Sequence, residues 1–293
     1  MFVNAIKLVS SFTHPVIISK RLDSGKVECG CATFIVLNSD GWVLTASHVF
    51  NDQKLFNQQK EEREKREKSI AAIENDTLLF EKQKKRKISQ IPKTPNHILN
   101  ISYWWGANNI QMGQMIGNDL VDLAAVKLSA LPPMPADSFP VFNNPSPNFA
   151  DLPVGRSLCR TGFPFHNIEA TFDDTNGLFT LAPGTLPVPR FPNECMLTRG
   201  MVLNNEKKQT ANFIETSTPG LRGQSGGPIF DVSGRIWGIQ SHTKHLSLGF
   251  SPKLKDGNKE FTEHQFLNVG IGVYVSEVIK FAQENNININ VVN

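Results

Sequence analysis

The chain has 293 residues, 40% apolar and 19% charged, with a formal net charge of +3. That is the composition of a globular protein long enough for one large all-β domain or two smaller units sharing an interface. No apolar run approaches the roughly 18 residues of a membrane span. The four cysteines, Cys29, Cys31, Cys159 and Cys195, are few for a secreted domain of this length, so free thiols and a reducing, cytoplasmic compartment are expected.

The N-terminal stretch MFVNAIKLVSSFTHPVIISK is interrupted by Asn4, Lys7 and His14 and lacks a clear apolar core with a small-residue cleavage site. It reads as mature protein rather than a leader, with residues 1–26 forming an arm ahead of the first folded unit. Residues 31–50, CATFIVLNSDGWVLTASHVF, predict a β-hairpin turning at Ser39-Asp40-Gly41.

The character then changes. From Asp52 to Ile91 there is neither Gly nor Pro, and charges alternate along QQKEEREKREK, so a helical hairpin is predicted over 52–88. The run KQKKRK (82–87) carries five positive charges, more than the whole net charge. It reads as a solvated helix end rather than a nucleic-acid surface.

Short apolar stretches return after Ile91, separated by Pro, Gly and Asn. DLAAVKL (122–128) predicts a strand, and PIFDVSGRIWGIQ a second hairpin turning at Ser233-Gly234. Seven prolines over 131–154 mark a connector between two halves. SEVIKFAQEN (276–285) predicts a helix capped by Ser276. The predicted organisation is mainly β, with a first unit over 27–145 carrying the insertion 52–90 and a second over 146–293 that ends in a helix. An α/β-hydrolase would need alternating strands and helices instead.

The stretch GQSGGPIF (223–230) places Gly223, Gly226 and Gly227 around Ser225. A serine hydroxyl needs a positioned base, usually a histidine held by a carboxylate. Before Ser225 stand LTASHVF, with His48 at the end of an apolar strand, and NDLVDLAAVKL, with Asp122 opening another. The order His, Asp, Ser is that of chymotrypsin-type sites, whereas α/β-hydrolases run Ser, acid, His. Asp119 rivals Asp122 for the acid.

With TASH, DLAAVKL and GQSGGP in that order, the sequence resembles the trypsin-like (chymotrypsin-fold) serine peptidases. GRSLCRTGFPF, LTRGMV and VGIGVYVSEVIKFAQEN look most like the HtrA-type bacterial branch. The resemblance covers roughly 27–50 and 97–286, and implies two antiparallel six-stranded β-barrels. It implies a serine endopeptidase acting on protein or peptide substrates without cofactor or metal. His48 would be the general base, Asp122 its orienter and Ser225 the nucleophile, with the backbone N–H groups of Gly223 and Ser225 receiving the oxyanion. A non-catalytic binding module of the same fold and an α/β-hydrolase-type esterase are the alternatives.

Family geometry builds the pocket for the side chain before the scissile bond from 217–223 and 241–243. Pro219, Arg222, Ser241, His242 and Thr243 are therefore the expected substrate-binding residues. Pro219 stands where trypsins carry an acid, so long basic side chains are not expected there. The pocket is expected to take a small or medium uncharged residue, with an acidic one as the second choice if Arg222, His242 and Lys244 point inward. His242 and His245 lack a spaced third ligand for a metal.

Two departures from the family stand out. Gln224 replaces the acid that a freed N-terminal ammonium pairs with in secreted trypsins. Only eight residues follow Asn285, so no C-terminal peptide-binding module is expected. The helical insertion, leaving the chain beside His48, is expected to dock a regulatory partner or gate substrate entry.

Overall fold

The computed structural model describes residues 1–292 apart from 93–95, 147–148, 166, 205–208 and 258. The first half forms a curled antiparallel sheet of six strands: β1 (Thr13–Leu22), β2 (Val27–Val36), β3 (Trp42–Thr45), β4 (Ile98–Trp104), β5 (Gln111–Asn118) and β6 (Leu123–Ser129). They run in the order β4-β1-β2-β3-β6-β5, leaving β4 and β5 at the edges. The β2–β3 turn falls where Ser39-Asp40-Gly41 predicted it. The Asn38 side chain accepts the N–H groups of Asp40 and Trp42, and Gly41 takes a φ of +86°.

Residues 1–26 are built into both halves rather than forming an arm before them. The Phe2 ring meets Phe230 edge-on and Ala5 and Leu8 lie beside Gly234 in the second half, while β1 joins the first sheet. They supply helix α1 (Val3–Phe12) and β1, which pairs with both β2 and β4. Phe2, Ala5, Val9 and Phe12 fall at helical spacing between the polar residues, and all four are buried.

After β3 a short 3-10 turn, Ser47–Phe50, leads into α2 (Asn51–Glu74), followed by α3 (Glu81–Ser89). The predicted helical insertion is present and mostly exposed. Its root is fixed at three points. Gln59 is buried and accepts the Ile98 N–H at 2.8 Å, Lys20 pairs with Asp52 at 3.0 Å, and Lys54 pairs with Asp119 at 2.6 Å.

In the second half the strands are β7 (Val141–Phe142), β8 (Ser157–Gly162), β9 (Ala170–Asp173), β10 (Leu178–Leu181), β11 (Phe191–Asn204), β12 (Thr210–Thr216), β13 (Pro228–Phe230), β14 (Ile236–Ser247), β15 (Lys253–Asp256), β16 (Lys259–Thr262), β17 (Phe266–Tyr274) and β18 (Asn290–Val291). Pairing runs β13-β8-β11-β12-β17-β14, and β13 also pairs with β14, which closes a six-stranded barrel. The short β7 and β18 add parallel pairings beside β14. β9–β10 and β15–β16 are separate two-stranded ribbons.

Helix α4 (Val275–Glu284) buries Val275, Val278, Phe281 and Ala282. Its N-cap is Tyr274, not Ser276, and no side chain caps it. The helix begins directly on the end of β17, so Ser276 already lies inside its first turn. There Glu277 accepts the backbone and side-chain N–H groups of Asn212. One apolar cluster, from Phe12 and Phe34 through Leu158 and Ile229 to Phe281, runs through both halves.

Candidate active site

Ser225 lies in the loop between β12 and β13, where Gly223 and Gly226 have φ of +94° and +82°. A Cβ on Gly223 would sit 2.2 Å from the Phe163 carbonyl oxygen, and one on Gly226 2.3 Å from that of Thr33. Both positions thus require glycine on two counts, backbone angle and space. The Gly223 carbonyl accepts the Thr33 hydroxyl at 2.6 Å and the Phe163 N–H at 3.1 Å, while the Ser225 carbonyl accepts the Thr33 N–H. With the carbonyls so held, the N–H groups of Gly223 and Ser225 have no acceptor among the described residues. Both residues line a cavity of about 700 Å³.

Gln224, between them, is fully buried. Its amide accepts the Leu221 N–H at 3.0 Å and donates to the Phe191 carbonyl at 3.3 Å. A neutral side chain therefore fixes the loop from within.

His48 stands on the 3-10 turn after β3, and Asp122 at the turn into β6, with φ +51°. The His48 Nδ1 lies 2.9 Å and 3.1 Å from the two Asp122 carboxylate oxygens, and the His48 backbone N–H donates to Oδ1 at 3.0 Å. Ser241 donates its hydroxyl to Oδ2. Burial works to raise the Asp122 pKa, but the hydrogen bonds and charge of His48, with Ser241, hold it below the ordinary aspartate value. Asp119 lines the same groove but makes no bond to His48. It accepts from Lys54 and from the Ser47 hydroxyl, which lower its pKa in that order.

His48, Asp122 and Ser225 line one groove of about 1100 Å³, together with Pro219, Arg222, Ser241, His242 and Thr243. All of the side chains singled out in the sequence therefore converge. The Ser225 hydroxyl is 3.4 Å from the Ser241 carbonyl and makes no hydrogen bond to His48, whose Nε2 has no partner among the described residues.

Residues 32–239 match the family model of the trypsin-like peptidase domain. The chain belongs to that family. Among solved structures, the active form of the Rv3671c protease from M. tuberculosis is 14% identical, over 99% of this chain and 88% of that one, with a TM-score of 0.50. The HtrA-type protease AlgW, solved with a tripeptide, is 13% identical over 98% of this chain and 65% of its own, with a TM-score of 0.49. No curated protein matches the sequence.

In this trypsin-like peptidase the groove beside Ser225 is walled by 219–222 on one side and 240–243 on the other. The Thr243 hydroxyl donates to the Gly220 carbonyl, tying the walls together. Neither wall carries a carboxylate. Sequence reasoning missed four residues that shape the site: Thr33, which holds the Ser225 loop; Gln224 in its bonding role; and the buried pair Arg160 and Gln240. Only Arg160 left a trace, as a cation inside the apolar strand SLCRTG.

Proposed function

We propose that the protein is a serine endopeptidase working through a His48-Asp122-Ser225 triad and an acyl-enzyme intermediate. The observation that carries this reading is the clamp of Asp122 on His48 Nδ1, which leaves Nε2 free in the groove that Ser225 lines. A substrate carbonyl entering there would meet the Ser225 hydroxyl. Its proton passes to His48 Nε2 as Oγ bonds to the carbonyl carbon, and the carbonyl electron pair moves onto oxygen. That oxyanion is received by the N–H groups of Gly223 and Ser225, a contribution worth roughly 3–4 kcal/mol per donor in such sites. Collapse breaks the C–N bond, the departing amine takes the proton from His48, and water repeats the cycle on the ester.

Asp122 keeps the imidazole in the tautomer this needs and stabilises its cationic form. The missing Ser225–His48 hydrogen bond is compatible with this role, because such contacts tighten when substrate is bound. Cleavage of an unfolded protein by the purified chain, lost in Ser225→Ala, tests the proposal. Equal cleavage by Ser225→Ala would refute it.

A further inference from the structure

Resting on that reading, we infer that the pocket beside Ser225 selects an acidic side chain before the scissile bond, with Arg160 as the charge that determines the selection. Arg160, on β8, is fully buried. Nη1 donates to Gln240 Oε1 at 2.8 Å; Nη2 donates to the Thr216 hydroxyl and, at 2.9 Å, to the Thr218 carbonyl. Nε has no partner. Every acceptor is neutral, and Arg160 makes no ion pair among the described residues.

A cation removed from water without a counterion is costly, by several kcal/mol even after relaxation. The nearby buried carboxylates do not relieve it. Glu215 is paired with Arg199, and Asp231 with Arg156. The charge is nevertheless accommodated by a specific arrangement. A Cβ on Gly270 would come within 2.3 Å of Nη1, and one on Gly220 within 2.2 Å of the Gln240 amide nitrogen. Two glycines thus make room for the Arg160–Gln240 pair.

Arg160 does not itself line the groove but is bonded to its frame through Gln240 and Thr218. Thr218 precedes the wall residue Pro219, Gln240 itself lines the groove, and Gly220 carries the contact between the walls. Asp119 and Asp122, the two acids lining the groove, each already face a cation or an imidazole. Arg222 lines the groove and makes no ion pair among the described residues. A substrate carboxylate in this pocket therefore acts as the counterion that the fold does not supply, in a medium where charges interact far more strongly than in water. A small uncharged residue, the first expectation from the sequence, gains nothing from this field, and Lys or Arg is repelled.

The test measures binding and turnover separately. Product peptides ending in Glu, Gln, Asp, Asn, Ala or Arg are titrated into the wild-type protein by calorimetry, and substrates with the same residues before the scissile bond are assayed for kcat/KM. The expected result is a preference of about tenfold or more for each acid over its amide, a difference of about 1.4 kcal/mol. Arg160→Met should collapse the acid-to-amide ratio towards one, while Arg160→Lys retains most of it, a pattern that a merely structural tie would not produce. Should Arg160→Met fail to fold, the wild-type ratios decide. Acid and amide binding equally, or the best binding by Ala or Arg, overturns the assignment. Acid-selective binding with no turnover of any peptide would instead sink the peptidase reading and leave the pocket assignment standing.

Discussion

The Ser241 hydroxyl donates to the Asp122 oxygen that also faces His48 Nδ1. One carboxylate therefore joins three elements: the turn after β3, the turn into β6, and β14. Ser241→Ala removes one of the hydrogen bonds that orient Asp122 without touching His48 or Ser225. Because hydrogen bonds to charged groups are worth about 1.5–3 kcal/mol, kcat is expected to fall by about tenfold or more, with KM little changed. Steady-state kinetics on one peptide checks this.

The two aspartates at the site predict opposite outcomes. Asp122→Asn should lower kcat by on the order of 10⁴, because the imidazole loses the tautomer it needs. Asp119→Asn breaks only the pair with Lys54 and the bond from Ser47, largely at the surface, and should cost about 1 kcal/mol of stability or less. Parallel assays of the two variants separate the assignments.

Acid sensitivity follows from the same carboxylate. A carboxyl whose pKa falls on folding stabilises the native state at pH above its unfolded value, and this contribution disappears as pH drops through the folded value. Asp122 is shifted in that direction. The wild type should therefore be more stable than Asp122→Asn at neutral pH, and the gap should narrow once pH falls below about 3.9, the ordinary aspartate value. Thermal melts of both proteins from pH 7 to pH 3 measure it.

Much of this site was legible in the sequence because its residues lie in short segments whose composition is set by local backbone needs. Gly223 and Gly226 show themselves as glycines because no side chain fits. His48 and Asp122 sit beside strands with plain apolar patterns. What remained hidden depends on contacts distant in sequence. Thr33 holds a loop 190 residues away, and Arg160 reaches Gln240 across 80. The role of residues 1–26 was hidden for another reason: a helix with one buried face carries the same polar interruptions as a loose arm. Nothing near Ser276 signalled that α4 would continue straight from β17.

The insertion behaves as two parts in the structure, a fixed root and a free end. Replacing 68–89 with a Gly/Ser linker is expected to leave folding and peptide hydrolysis intact. Gln59→Ala should destabilise by about 1–3 kcal/mol, since it strands the buried Ile98 N–H. Chemical denaturation together with peptide assays distinguishes these. If the free end docks a partner or gates entry, the linker variant will differ from wild type only on a folded protein substrate.

Whether Ser225 is a nucleophile is decided by labelling the folded protein with a fluorophosphonate and mapping the adduct by mass spectrometry. A single adduct on Ser225, abolished in Ser225→Ala and strongly slowed in His48→Ala, is the expected result. A folded wild-type protein that stays unlabelled, or one that labels at Ser225 equally fast without His48, would contradict the triad.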